Sequence, residues 1–267
     1  MAIINDMLDA AMAEGYMDDN AEAYVCQNLV LIALSKSTLS RNATIKGGVV
    51  MRSLSNNIRR ATQDMDIDFI RYSLSDEAIT FFIEHLNCLP DVRFEQIGIA
   101  KELKQQDYRG KRIFVRISDE SGESIESKID LGVHRNLSIE QEEYCFDIAV
   151  FEESASLLIN SKEQMFAEKL RSLLIFGSSS TRYKDIFDLC YLCKLVDCKR
   201  LLSCINSFIF EDPGMKENNM EDINMRVGKT FSSIRYLSRL DSSRKNWLDI
   251  PTKDVIETIV AFLNQLT

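Results

Sequence analysis

Apolar positions in the first 37 residues recur at helical spacing, in two successive runs. The second, Ala21 to Ser37, carries Val25, Leu29, Leu31, Ile32 and Leu34 and reads as a core helix. The pattern then shortens. Ala43 to Lys46 predicts a short strand, Gly47-Gly48 opens a helix through about Ser55, and Asn56-Asn57 ends it. From Asp64 to Phe69 polar and apolar residues alternate strictly. As a strand this segment puts Asp64, Asp66 and Asp68 on one face and Met65, Ile67 and Phe69 on the other. The apolar face can bury. The acidic face aligns like charges, which is destabilising unless a cation or solvent compensates.

Downstream, Ser75 caps a helix running to about Asn87, with Asp76 and Glu77 in the first turn where the helix dipole favours them, and Pro90 stops it. Strand-like runs follow at 92–103, 112–119, 124–133 and 143–151, with a short one at 157–159; Asp107–Lys111 and Ser121-Gly122 read as turns. After that the pattern is helical only. Ser161 begins a helix through Ile175 that Gly177 closes, and Thr181 or Arg182 begins another to about Leu195. Further helical patterns cover 198–210, 227–240 and 252–266, with a polar loop from Glu211 to Asp222. This segregation predicts an α+β domain over 1–158 followed by a helical bundle over 159–267. Short connections and hairpins favour a mixed, mostly antiparallel sheet with flanking helices over a doubly wound parallel one.

Composition narrows the class. At 267 residues, 45% hydrophobic and 27% charged, the chain is an ordinary globular sequence. No run approaches the roughly 18 consecutive apolar residues of a membrane span, and the start, Met-Ala-Ile-Ile-Asn-Asp, lacks the basic-then-apolar order of a secretion signal. A cytoplasmic location without membrane partners is the expectation. Seven cysteines, mostly in apolar surroundings, suit reduced core thiols, and the Cys190-x-x-Cys193 pair falls inside a helical pattern without a second pair at zinc spacing. Two histidines, His85 and His134, exclude a site built from several imidazoles. The net charge of −9 argues against a nucleic-acid-coating protein. Two local basic groups remain: Arg52, Arg59 and Arg60 near the acidic strand, and Lys101, Lys104, Arg109, Lys111 and Arg112, read as a solvated hairpin.

The chemistry concentrates in residues 46–69. Glycines at a helix start expose backbone N–H groups and let a phosphate approach closely. Carboxylates at i and i+2 on the next strand can hold Mg²⁺, which prefers oxygen ligands and keeps substrate phosphates in its shell. Together they suit phosphoryl or nucleotidyl transfer. The glycine pair alone is weak evidence, lacking the Gly-Lys-Ser/Thr of a P-loop and the third glycine of a dinucleotide fingerprint.

Gly47-Gly48 followed by Arg60-x-Thr62-x-Asp64-x-Asp66 resembles the first motif of the AbiEii-type nucleotidyltransferases, toxins of type IV toxin–antitoxin systems within the DNA polymerase β-like superfamily. Glu163 to Leu174 is similar to the family's helix with a glutamate, a lysine and an apolar end, and Arg182 to Leu189 to its final arginine and Asp-x-x-Asp. The matches run in order from about Leu29 to Leu195. The resemblance implies that Asp64 and Asp66 ligate the catalytic metal, Mg²⁺ or Mn²⁺, and that Gly47 and Gly48 contact the NTP phosphates. It further implies that Lys169 steadies the triphosphate, that Asp185 is needed for activity, and that Arg60 and Thr62 shape the loop before the metal strand, near the nucleotide. A helical domain completing the cleft is part of the same expectation.

A third metal carboxylate is expected from a neighbouring strand. Asp130 is preferred over Asp147, because Ile129, Leu131 and Val133 share the opposite strand face. Asp68 is expected to be solvated or bonded to Arg59 or Arg60, and Asp188 to matter less than Asp185. Val49 departs from the small hydroxyl residue many relatives carry after the glycines, which removes one side-chain contact to phosphate. The activity implied is NMP transfer from an NTP to an acceptor, with a tRNA 3′ end as first candidate and an antitoxin encoded nearby as partner. The alternatives are an inactive nucleotide- or partner-binding module, or transfer to a protein or small molecule.

Overall fold

A computed structural model describes residues 3–103, 110–134, 136, 138–148 and 153–266. The chain packs as two compact units, residues 1–160 and 161–267. Unit one opens with α1 (Ile3–Ala13) and α2 (Asp19–Lys36), then β1 (Ala43–Lys46), α3 (Gly47–Ser55), β2 (Met65–Phe69), α4 (Asp76–Leu86), β3 (Val92–Leu103), β4 (Gly110–Asp119), β5 (Ser124–Val133), β6 (Glu142–Ile148) and β7 (Glu153–Ile159). The expected α+β class is confirmed: the described strands form one mixed sheet in the order β3-β4-β5-β2-β1-β7-β6. The pairs β2/β5 and β1/β7 are parallel, and the other pairs are antiparallel.

The alternation in β2 works as its periodicity requires. Met65, Ile67 and Phe69 are buried with Ile45, Ile113, Ile129 and Leu131 of the flanking strands. Helix α2 packs against β5 and β7, and α4 against β3. Because α2 is buried almost all round from Ala21 to Leu34, it behaves as a core helix rather than a surface one. Its Gln27 and Asn28 are buried too, and both meet Arg52 of α3. Ser75 caps α4 as expected, accepting from the Ala78 backbone N–H at 3.2 Å.

Unit two is helical: α5 (Lys162–Phe176), α6 (Tyr183–Leu192), α7 (Cys198–Ile205), α8 (Met220–Phe231), α9 (Ile234–Ser242) and α10 (Thr252–Gln265). Ser161 caps α5 through the Gln164 N–H at 3.1 Å. The expected 227–240 helix is two, because Ser233 caps a new helix by accepting from the Tyr236 N–H at 3.4 Å. Helix α8 also begins inside the segment read as a polar loop, where Asn219 caps it. The 157–159 strand is longer, starting at Glu153, and β4 begins at Gly110 within the expected 107–111 turn. Residues 149–151 of the expected 143–151 strand lie outside the described ones.

All seven cysteines are free, but their expected burial holds only in part. Cys26, Cys190 and Cys204 are buried while Cys88, Cys145 and Cys198 are exposed. Burial pushes the thiols of Cys26 and Cys193 up to about 12, which keeps them protonated at neutral pH. No helix among the described residues is long and apolar enough to cross a membrane.

Candidate active site

Register places charge in a row across the sheet. Lys46 at the end of β1 stands opposite Asp66 of β2, Asp66 opposite Asp130 of β5, and Asp130 opposite Arg112 of β4. The order is therefore plus, minus, minus, plus. Arg112 grips Asp130 with both ends of its fork, Nε at 2.6 Å and the second nitrogen at 2.7 Å. Lys46 donates to Asp68 Oδ2 at 2.7 Å, and both are buried. Lys128, one pleat before Asp130, meets Asp64 Oδ1 at 2.6 Å near the surface. Beside that pair an open recess of about 260 Å³ is lined by Gln63, Phe114 and Lys128 with acidic residues of α2.

Asp66 sits in the middle of this row. Its carboxyl is pushed up to about 6, first by burial and then by the charges of Asp130, Asp64 and Asp68, with Lys46 pulling the other way. The neighbouring glycines are there because of what abuts them. Gly47 takes φ +67°, and a Cβ on it would run into Asp66 Oδ2. A Cβ on Gly48 would lie 2.6 Å from Thr62 Cβ. Asp66 and Thr62 thus pack directly against the first turn of α3, whose start has no side-chain cap. Backbone N–H groups at an uncapped helix start favour an anion.

The loop before β2 is tied down from behind. Gln27 of α2 donates to the Thr62 carbonyl at 2.9 Å, Arg52 of α3 bonds Gln27 Oε1, and the Arg52 guanidinium lies 4.6 Å from the Tyr24 ring centre. Arg60 ends a short 3-10 turn, Ile58–Arg60, and is buried.

In unit two, Lys169 of α5 is buried and its ammonium lies 2.8 Å from both Asp185 Oδ1 and Asp188 Oδ2 on α6. The i, i+3 spacing on α6 brings both carboxylates to it. Arg182 Nε reaches Asp185 Oδ2 at 2.7 Å, and Trp247 Nε1 donates to Asp188 Oδ1 at 3.0 Å. The cluster is two cations against two anions, with Lys169, Asp185 and Asp188 buried and Arg182 at its exposed edge.

Among the expected residues, Asp64, Asp66 and Asp130 come to one sheet face with Gly47, Gly48 and Thr62 beside them, while Lys169 and Asp185 meet in unit two. Asp147 lies exposed on edge strand β6. Three expectations are corrected. Asp68 is buried against Lys46 rather than solvated or held by Arg59 or Arg60, because Lys46 ends the strand paired antiparallel to it. Asp188, expected to be minor, is fully buried and bonds Lys169 as closely as Asp185 does. The solvated-hairpin reading of the second basic group also fails for Arg112 and for Lys111, which pairs with Asp76 at 2.7 Å; Lys104 and Arg109 lie outside the described residues. Sequence reasoning missed Lys46, Lys128, Gln27 and Trp247. Only the strand period of β5 could have paired Lys128 with Asp64; the other three contacts come from tertiary packing.

The donor set fits a divalent cation. Carboxylate oxygens are the ligands Mg²⁺ and Mn²⁺ prefer, and the crowding of negative charge that raises Asp66 is what such an ion relieves. Among the described residues no three acidic, histidine or cysteine side chains converge closely enough to chelate one as placed, since Lys128 and Arg112 hold Asp64 and Asp130.

A protein-family model described as nucleotidyl transferase AbiEii toxin, type IV TA system, matches residues 29–249. No curated protein matches the chain. Among solved structures it is similar to an antigenic nucleotidyltransferase-like protein from Paracoccidioides brasiliensis, at 15% identity and TM-score 0.48, covering 82% of this chain and 91% of that one. It is also similar to the antibiotic-resistance factor ANT(2'')-Ia, at 12% identity and TM-score 0.44, covering 72% of this chain and 92% of that one.

Proposed function

The chain belongs to the AbiEii nucleotidyl transferase family, and from that premise we propose a metal-dependent enzyme that moves an NMP from an NTP onto the 3′ end of an RNA, a tRNA first. One observation carries the reading: the Asp66 carboxylate lies against Gly47 at the uncapped start of α3, with Asp130 in register on the next strand. That arrangement brings a place for phosphates and a place for a cation together.

In the transfer, the acceptor hydroxyl releases its proton to solvent as its oxygen bonds to the α-phosphorus, and the bond to the bridging oxygen of the β-phosphate breaks, releasing pyrophosphate. Asp64, Asp66 and Asp130 would hold Mg²⁺ or Mn²⁺, which would supply neutralisation of the charge that develops at phosphorus and leaving group. The chain's own groups do the rest. Backbone N–H groups of Gly47 and Gly48 receive the phosphate tail. Thr62 and the Gln27–Arg52 pair behind it keep the loop before β2 in place. Asp185 and Asp188 fix the ammonium of Lys169, the lysine to which the family resemblance gives the triphosphate.

The activity serves as the toxin of a type IV toxin–antitoxin pair in the cytoplasm, restrained by an antitoxin encoded beside it. The test is incubation of labelled NTPs with total tRNA. Wild type labels RNA and Asp64→Asn does not. Equal labelling by both, or none by wild type, refutes the mechanism. Growth arrest on induced expression, relieved by Asp64→Ala, tests the toxin role.

A further inference from the structure

Net charge is divided unevenly along this chain. Residues 1–160 hold 16 Lys and Arg against 27 Asp and Glu, whereas residues 161–267 hold 16 against 14. The acidity of the protein thus belongs to the sheet unit. Within the helical unit, the stretch 226–245 carries six Lys and Arg with Asp241 as its one acid.

Packing gathers this charge around one feature, the turn Gly177–Ser179 that follows α5. Helices α8 and α9 both pack on that turn. Arg226 of α8 donates to the Leu174 carbonyl at 3.2 Å, and Arg239 of α9 donates to the Ser178 carbonyl at 2.7 Å. Both acceptors are neutral backbone oxygens, so each guanidinium is held in place without losing its charge to a carboxylate. Arg235 lies one helical turn before Arg239, while Tyr236 and Leu240 bury the other side of α9. Lys229 lies one turn after Arg226. Arg235 and Lys229 are exposed, and among the described residues no carboxylate pairs with either. The residue just before the turn is Phe176, an aromatic ring left 48% exposed.

We propose that the α8–α9 face around the Gly177–Ser179 turn is an RNA-docking surface, in which Arg226, Lys229, Arg235 and Arg239 take the phosphate backbone and Phe176 stacks on an unpaired base. Fixed guanidinium charges without carboxylate partners suit a polyanion, and a neighbouring exposed ring suits the single-stranded part of an RNA. The acids of the two helices, Glu221 and Asp222 in the first turn of α8 and Asp241 near the end of α9, lie at the outer ends, and none falls between Arg226 and Arg239. The inference rests on the RNA-acceptor reading above and assigns a role to the part of the chain beyond the family's sequence motifs.

The experiment measures binding of fluorescein-labelled total tRNA to the full chain by anisotropy over a salt series, without NTP, so it does not depend on transfer. Lys229→Glu with Arg235→Glu is expected to weaken binding at least about tenfold and to flatten the dependence of log K on log salt by about 1 to 2. The glutamine pair is expected to fall between, and Lys199→Glu on α7 to bind as wild type. Phe176→Ala is expected to lose about fivefold or more on an unpaired oligonucleotide while leaving a blunt duplex unaffected. Unchanged affinity and slope in the double variant, absent tRNA binding by wild type, or equal binding of poly-glutamate, which would mark an acidic-protein site, each overturn the proposal. If labelling of RNA fails yet the double variant still loses tRNA, the surface stands and the transfer reading falls. If labelling succeeds and the double variant binds as wild type, the surface falls alone.

Discussion

Replacing Asp66 by asparagine should make the protein more stable and inactive at once. The native carboxyl sits near 6 against an ordinary 3.8, so the folded protein holds that proton more tightly than the unfolded chain does. The stability linked to this group is therefore fully present below about pH 4 and lost as the pH rises through 6. Two pH units at about 1.4 kcal/mol each set a ceiling of about 3 kcal/mol. Because Asp66 keeps some solvent contact, about 1–2 kcal/mol is the gain expected for Asp66→Asn at pH 7.5. Asparagine keeps the size of the side chain, so the contact with Gly47 survives. The assay is urea unfolding of both proteins with EDTA from pH 4 to 8, in which the gap should open with rising pH and close toward pH 4. Added Mg²⁺ should narrow the gap at pH 7.5 by stabilising wild type alone. A variant less stable than wild type at pH 7.5, or a gap constant across the series, refutes the reasoning.

Three further outcomes follow from contacts described above. Gly48→Ala should cost about 1–3 kcal/mol in thermal unfolding and abolish transfer, since its Cβ meets Thr62 Cβ itself; adding Thr62→Gly should restore stability, and Thr62→Ser should not, as no rotamer moves a Cβ. Lys169→Met should cost about 3–5 kcal/mol in chemical denaturation by stranding Asp185 and Asp188, with Asp188→Asn in the same chain recovering part of it. Trp247→Phe removes the N–H that Asp188 accepts and should cost about 1.5–3 kcal/mol, measured the same way.

Sequence pattern conveyed what is periodic or locally capped. The strict alternation of 64–69, the Ser75 and Ser161 caps and the glycine stop after α5 all lie where the chain's own signals put them, because each depends on residues within one turn or one pleat. The α8–α9 division was hidden because Ser233 reads as one more polar residue in a continuous amphipathic run. The acidic face of β2 was legible, but not what neutralises it. Lys46 and Arg112 reach their carboxylates through register with the next strand and Lys128 through a strand far along the chain, and register does not follow from composition. Asp188 was undervalued for a similar reason: Trp247, which completes its shell, comes from 59 positions later in the chain.

The parallel pairing of β2 with β5 has a bearing on how the protein is made. On the ribosome the Asp64–Asp68 strand emerges early, with β1 and its Lys46 as an immediate antiparallel partner. Its other neighbour arrives only after the β3–β4–β5 meander has been synthesised, and that meander can zip locally while β2 waits. During synthesis Asp66 and Asp130 can meet only once β5 has emerged. A truncated or stalled chain ending before β5 would carry the glycines and the acidic strand without the charge row, which only completion of the sheet supplies.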